Sequence, residues 1–209
     1  MWLLLLLLIS YLLGSIPTSI IAGKFLRGID IRDYGSHNPG ATNTFRVLGK
    51  KIGIGVGLID ICKGFLAVVL LPALIPADSW TTEELRKIFA GFAAVAGHVW
   101  TVFAGFKGGK GVGAAFGVFL GLAPLPSLVA VAVWTFLTFS TGYVSLGSVV
   151  AALALPIAVI VEGICRHNLS APIALLAGIV GLLVIVRHRA NISRLLRGEE
   201  NRFGKRGKS

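Results

Sequence analysis

The chain has 209 residues, of which 55% are hydrophobic and 14% charged, with a formal net charge of +11 and a mean hydropathy of +0.84. So few polar side chains cannot cover a water-soluble globule of this size, which places the chain in a bilayer. The Lys and Arg surplus lies between long apolar runs, not on a basic helix face with interleaved aromatics, so it reads as membrane topology plus attraction to anionic membrane lipids, with no nucleic acid as partner.

A hydrocarbon core about 30 Å thick needs roughly 20 apolar residues per spanning helix, and unbroken runs of that length favour helices over barrel strands. The first run covers 2–22. No basic stretch precedes it and no small-residue cleavage signal precedes Gly14 and Ser15, so it reads as a retained first helix. Runs at 53–76, 88–104, 144–163 and 170–186 are further spans, whereas 112–123 and 127–140 are shorter, separated by Pro124 and Pro126, and read as short or tilted helices. The expected fold is an all-α polytopic membrane protein with seven transmembrane helices, one domain over 1–209 with a basic cytoplasmic tail at 193–209.

Charge sets the orientation. Lys24, Arg27, Arg32, Arg46, Lys50 and Lys51 follow the first run and place that loop on the cytoplasmic side, with the N-terminus outside. Seven crossings then put Lys107, Lys110 and the tail from Arg187 to Lys208 inside as well, leaving Arg86, Lys87 and Arg166 outside. Merging 112–140 into one span would send the basic tail out, against the rule.

Three inner loops carry the polar chemistry. In the first, GSHNPGATNTFR over 35–46, turn formers precede a short helix, and its free N–H groups, hydroxyls and guanidinium suit an anion. Its candidate substrate ligands are Ser36, Asn38, Gly40, Thr42, Asn43 and Arg46. In the second, GFKGGKGVG over 105–113, the candidates are Lys107, Gly108, Gly109, Lys110 and Gly111; this phosphate cradle is not a Walker A loop, since Ala104 and Gly111 stand where that pattern needs Gly and Ser or Thr. In the third, GYVSLGS over 142–148, Ser145 and Ser148 either cap the next helix or bind a ligand. Glycines at 109, 113, 117 and 121 give the fourth helix a smooth face for close packing, and the shortness of that helix lets the 105–111 loop dip into the membrane. Asp60 and Lys63, one turn apart in an apolar run, are expected to pair, and His98 is either a satisfied structural imidazole or a residue with a ligand or acid–base role. Cys62 and Cys165 form no disulfide framework or zinc pattern. On the residues alone, a transporter or exchanger of a phosphorylated metabolite competes with an enzyme, although no matching inverted halves are found.

GSHNPGATNTFR, GHVWTVFAGFKGGKGVG, GYVSLGS and RHRANISRLLRGEE, in this order over nearly the whole chain, resemble the acyl-phosphate:glycerol-3-phosphate acyltransferase family of bacteria. The resemblance implies transfer of an acyl group from acyl phosphate to glycerol 3-phosphate in the bacterial inner membrane, giving lysophosphatidic acid, without cofactor or metal. It implies that Ser36, Arg46, Lys110, Ser148, His188 and Asn191 bind phosphate groups and orient glycerol 3-phosphate, with His188 and Asn191 as positioners and a substrate phosphate as proton acceptor. The chain departs from the family pattern at His37, Thr101 and Gly142, where a small residue, a proline and a basic residue are usual.

Overall fold

The computed structural model describes residues 1–202, and these form helices and turns with no strand. The chain divides into two compact units, Met1–Leu122 and Ala123–Ser209. The end of the basic tail, 203–209, lies outside the described residues.

The first unit opens with α1 (Trp2–Ser15) and α2 (Thr18–Arg27). The expected 2–22 span is present within one apolar segment, Trp2–Arg27, but its helix is interrupted at Pro17, which has no N–H with which to continue the ladder. Carbonyls exposed at the break are met by side chains: the buried Thr101 hydroxyl donates to Ser15 O, and Lys63 Nζ donates to Ile16 O at 3.1 Å. A loop then leads to α3 (Ala41–Leu48), followed by α4 (Lys50–Val69) and a single turn, α5 (Leu71–Leu74). The next helix, α6 (Glu83–Val99), begins before the expected position 88, because the Thr82 hydroxyl caps it by accepting from Leu85 N at 3.2 Å, and Glu83 and Glu84 sit at its positive end. The unit ends with α7 (Val112–Leu122), 11 residues long as expected of a short helix.

The glycine repeat makes the seam between α4 and α7. A Cβ added at Gly113 would lie 3.2 Å from Asp60 Cβ, one at Gly117 would overlap the Ile61 carbonyl, and one at Gly121 would overlap the Val68 side chain. These contacts advance in the same sense on both helices, so α7 runs parallel to α4 and starts opposite Asp60, about 15 Å along the α4 axis from Lys50. The α3 helix packs antiparallel on the first half of α4: a Cβ on Gly57 would meet Ala41 Cβ at 3.4 Å, and one on Gly53 would meet Phe45 Cα at 2.5 Å. Two helix starts therefore arrive at one level of α4, near Gly57 and Asp60.

The second unit consists of α8 (Pro124–Thr141), α9 (Val144–Cys165), α10 (Ala171–Arg187) and α11 (Arg189–Leu196). The expected division of this region into two short or tilted helices holds, but the second starts before 127: Pro124 and Pro126 occupy the first turn of an 18-residue helix, where a missing N–H costs no hydrogen bond. Gly142, at φ 78, ends that helix in the left-handed region. A bend of 58° at His188 separates α10 from α11. Among the described residues, 5 helical segments are long and apolar enough to cross a membrane, or 6 if the bent α10–α11 pair is one span, with α7 as a shorter apolar helix. The chain is an all-α integral membrane protein.

Candidate active site

In the first loop, Asp30 accepts from Arg32 Nε at 3.0 Å and Nη2 at 2.7 Å, and Arg32 Nη1 reaches on to Ala104 O at 3.2 Å, tying this loop to the second. The hydrogen bond from Arg32 holds the Asp30 carboxyl down at about 2 against the opposing effect of burial. Asn43 is 1% exposed; its Oδ1 accepts from Ser36 N at 2.8 Å, while Nδ2 donates to Tyr34 O at 2.9 Å and Ile31 O at 3.1 Å. Expected as a substrate ligand, Asn43 acts here as the clamp that shapes the loop. His37 sits at φ 58 with Nδ1 2.9 Å from Arg32 O, a left-handed position that explains why glycine suits it. Ser36, Asn38, Gly40 and Thr42 are half-buried beside the start of α3, and Arg46, one turn beyond Thr42, is exposed.

The second loop is fixed by its own backbone. Gly105 and Phe106 both take positive φ, after which Gly108 N donates to Val99 O and Gly109 N to His98 O, each at 3.1 Å. Gly108, Gly109 and Gly111 are buried, Lys110 is half-buried and Lys107 is exposed. Thr18, Pro39, Lys63, His98, Gly108 and Gly109 line a cavity of about 10 Å³, so the two loops meet there. Beneath it the expected Asp60–Lys63 pair is formed at 2.9 Å, with both side chains 4% exposed, and Asp60 Oδ1 also accepts from Thr18 Oγ1 at 2.6 Å and faces His98 Nδ1 at 3.6 Å. The converging starts of α3 and α7, with Lys107 and Lys110 of the second loop, bring positive charge to this level of α4, an arrangement that suits a phosphate.

In the second unit neither serine caps α9. Ser148 Oγ donates to Val144 O at 2.9 Å and accepts from Trp134 Nε1 at 3.2 Å, whereas Ser145 Oγ donates to Glu200 Oε1 at 3.0 Å. The buried Glu200 also accepts from Asn191 Nδ2 and Arg194 Nε, each at 2.7 Å. His188 is 3% exposed and its Nδ1 lies 2.8 Å from Val184 O. A carbonyl only accepts, so Nδ1 carries a proton.

Within the first unit, then, the structure gathers the 35–46 and 105–111 loops with His98, and within the second it joins Ser145 to Asn191, while Ser148 turns toward α8. Sequence reasoning passed over Thr18 and Glu200 as parts of these groups. Glu200 had a local signal in the RGEE end of the fourth motif, but its partner Ser145 is distant in sequence. Burial raises the Glu200 carboxyl, but the hydrogen bonds from Asn191, Arg194 and Ser145 outweigh this and leave it below its ordinary 4.5. Its stabilisation is therefore full above that ordinary value and lost as pH falls through the lowered one. Glu200→Ala strands three donors and should cost about 3 kcal/mol, read as a fall in the thermal midpoint, with Glu200→Gln costing less.

Comparison with known proteins identifies relatives along nearly the whole chain. The family described as Glycerol-3-phosphate acyltransferase matches residues 4–198. The glycerol-3-phosphate acyltransferase of Chlorobaculum parvum is 45% identical over 95% of this chain and 96% of its own, and that of Chlorobaculum tepidum is 43% identical over the same shares. The crystal structure of PlsY (YgiH), an integral membrane glycerol 3-phosphate acyltransferase in its glycerol 3-phosphate form, superposes with a TM-score of 0.85 at 40% identity, covering 97% of this chain and 96% of that one. The lysophosphatidic acid form of the same protein gives 0.83 at 40% identity, covering 97% and 95%.

Proposed function

The chain belongs to the glycerol-3-phosphate acyltransferase family, and from that premise we propose that its acyl donor is acyl phosphate and its products are lysophosphatidic acid and inorganic phosphate. The observation that carries this reading is the meeting of two glycine-rich loops and two helix starts at the Gly57–Asp60 level of α4, where lysines and helix N-termini suit a phosphate and the Asp60 carboxylate is already paired with Lys63. Solved relatives in glycerol 3-phosphate and lysophosphatidic acid forms support the acceptor and the product.

Acyl phosphate is a mixed anhydride with a good leaving group, so positioning and charge stabilisation suffice. The glycerol hydroxyl oxygen attacks the acyl carbon, a carbon–oxygen bond forms, the bond to phosphate breaks, and phosphate leaves with the electron pair. The hydroxyl proton passes to a substrate phosphate oxygen, whose second pKa is about 6. Ser36, Arg46, Lys107, Lys110 and the Gly111 N–H hold phosphate charge, Gly108 and Gly109 shape the loop through their bonds to Val99 O and His98 O, and Ser148, His188 and Asn191 orient the acceptor. The deciding assay gives purified protein glycerol 3-phosphate with palmitoyl phosphate, palmitoyl-CoA or palmitoyl-acyl carrier protein. Lysophosphatidic acid and phosphate should form with the first alone; transfer only from a thioester overturns the donor assignment.

For the proton, His188→Asn keeps an amide that can reach Val184 O and should retain more activity than His188→Ala. The acidic limb of its pH–rate profile should survive. Disappearance of that limb would make the imidazole the base.

The reading also places a single acyltransferase domain in the bacterial inner membrane with seven spans, the N-terminus outside and the site facing the cytoplasm. In a chain with Cys62 and Cys165 replaced by serine, Ser79→Cys should react with an impermeant maleimide on intact cells, and Lys50→Cys and Ser193→Cys only after lysis. The opposite pattern would reverse the orientation.

A further inference from the structure

We propose that Asp60 and His98 form a positioning pair that sets the backbone of Gly108–Lys110, so that His98 acts through the glycine loop and not on a substrate. The His98 imidazole stands between two neighbours: Nδ1 faces Asp60 Oδ1 at 3.6 Å, and Nε2 sits so close under Gly109 that an added Cβ would overlap it. The loop is bound to the same residue by its main chain, Gly109 N donating to His98 O at 3.1 Å and Gly108 N to Val99 O at 3.1 Å. His98 is 8% exposed, and the cavity that it lines holds about 10 Å³, room for one water but not for a phosphate.

Asp60 is itself held from several elements. Thr18 donates from the start of α2, Lys63 pairs from the next turn of α4 while donating to Ile16 O at the Pro17 break, and Gly113 packs on the Asp60 Cβ from the start of α7. A carboxylate fixed on three sides gives the imidazole one orientation, and the imidazole then backs the loop from which Lys110 projects. The pair thus links the proline break of the first helix to the geometry of the phosphate cradle. It uses buried groups to which the proposed chemistry assigns no other task.

The test measures amide hydrogen exchange in the detergent-purified protein and, resting on the acyltransferase reading, inhibition of turnover by inorganic phosphate. In His98→Ala the Gly108 and Gly109 amides should exchange at least about tenfold faster while α4 and the body of α6 are unchanged, and the phosphate inhibition constant should rise about tenfold with a smaller fall in kcat. Gly109→Ala should be less damaging in the His98→Ala background than in the parent, since the imidazole that its methyl would strike is gone. Asp60→Ala leaves Lys63 buried alone and is a poor probe, so the carboxylate is tested in Asp60→Asn/Lys63→Gln, which should show the same loosened loop. Unchanged exchange at Gly108 and Gly109, strictly additive effects at positions 98 and 109, or loss of kcat with unaltered phosphate inhibition would each overturn the positioning role. If the parent protein transfers no acyl group, the proposed function fails and the exchange data alone decide the pair.

Discussion

Arg46→Ala and Lys110→Ala should each lower turnover by about a hundredfold or more while the thermal midpoint moves little. Both side chains reach solvent in whole or part, so neither truncation opens a core cavity, and on the proposed function the loss falls on the charge offered to phosphate. Lys110 leaves the glycine loop at the start of α7, where helix dipole and ammonium add. Arg46 stands one turn along α3 from Thr42, on the other helix that begins at this level. Arg46→Lys separates charge from geometry: an ammonium keeps the charge but loses the planar fork, and an intermediate rate is expected. Phosphate release from palmitoyl phosphate, measured with a melting curve on the same sample, checks all three variants. Near-parental turnover in either alanine variant removes that residue from the site.

Gly117→Ala should be among the most destabilising single-methyl changes in the chain, costing about 3 kcal/mol or more. The added carbon would overlap the Ile61 carbonyl and approach Phe65 N at 2.9 Å, and these are backbone atoms of α4 that cannot rotate aside. The control is Gly178→Ala in α10, where nothing lies within 4 Å of the added carbon. There alanine restricts the unfolded chain and favours the helix, so stability should hold or rise by up to about 1 kcal/mol. Thermal unfolding in one detergent compares the two directly; equal midpoints would mean that α4 and α7 are not packed through this seam.

The features read correctly from sequence are those with a short period. The glycines at 113, 117 and 121 share a face because four residues make about one turn, and Asp60 meets Lys63 for the same reason. The polar loops stood out because turn formers interrupt apolar runs. What escaped depended on weighing one residue against its neighbours: Pro17 was outweighed by the hydropathy around it, the Thr82 cap by the polarity of Glu83 and Glu84, and the two prolines that separate α7 from α8 also open the second helix, which the expected start at 127 left out. Glu200 and the clamp made by Asn43 escaped for another reason. Their chemistry is set by which groups the fold brings to them, and a polar residue in an anion-binding motif gives no local sign of whether it faces the ligand or its own backbone.

On the proposed function, the short α7 would tie performance to the thickness of the surrounding lipid. Its 11 residues rise about 16 Å, roughly half of a hydrocarbon core, and its start lies deep along α4. Lipids with longer tails would carry the Lys110 loop further from the headgroups, whereas shorter tails would bring it nearer the surface. On the proposed function, hydrophobic mismatch would then bear on how readily a water-soluble acceptor reaches the Lys110 loop.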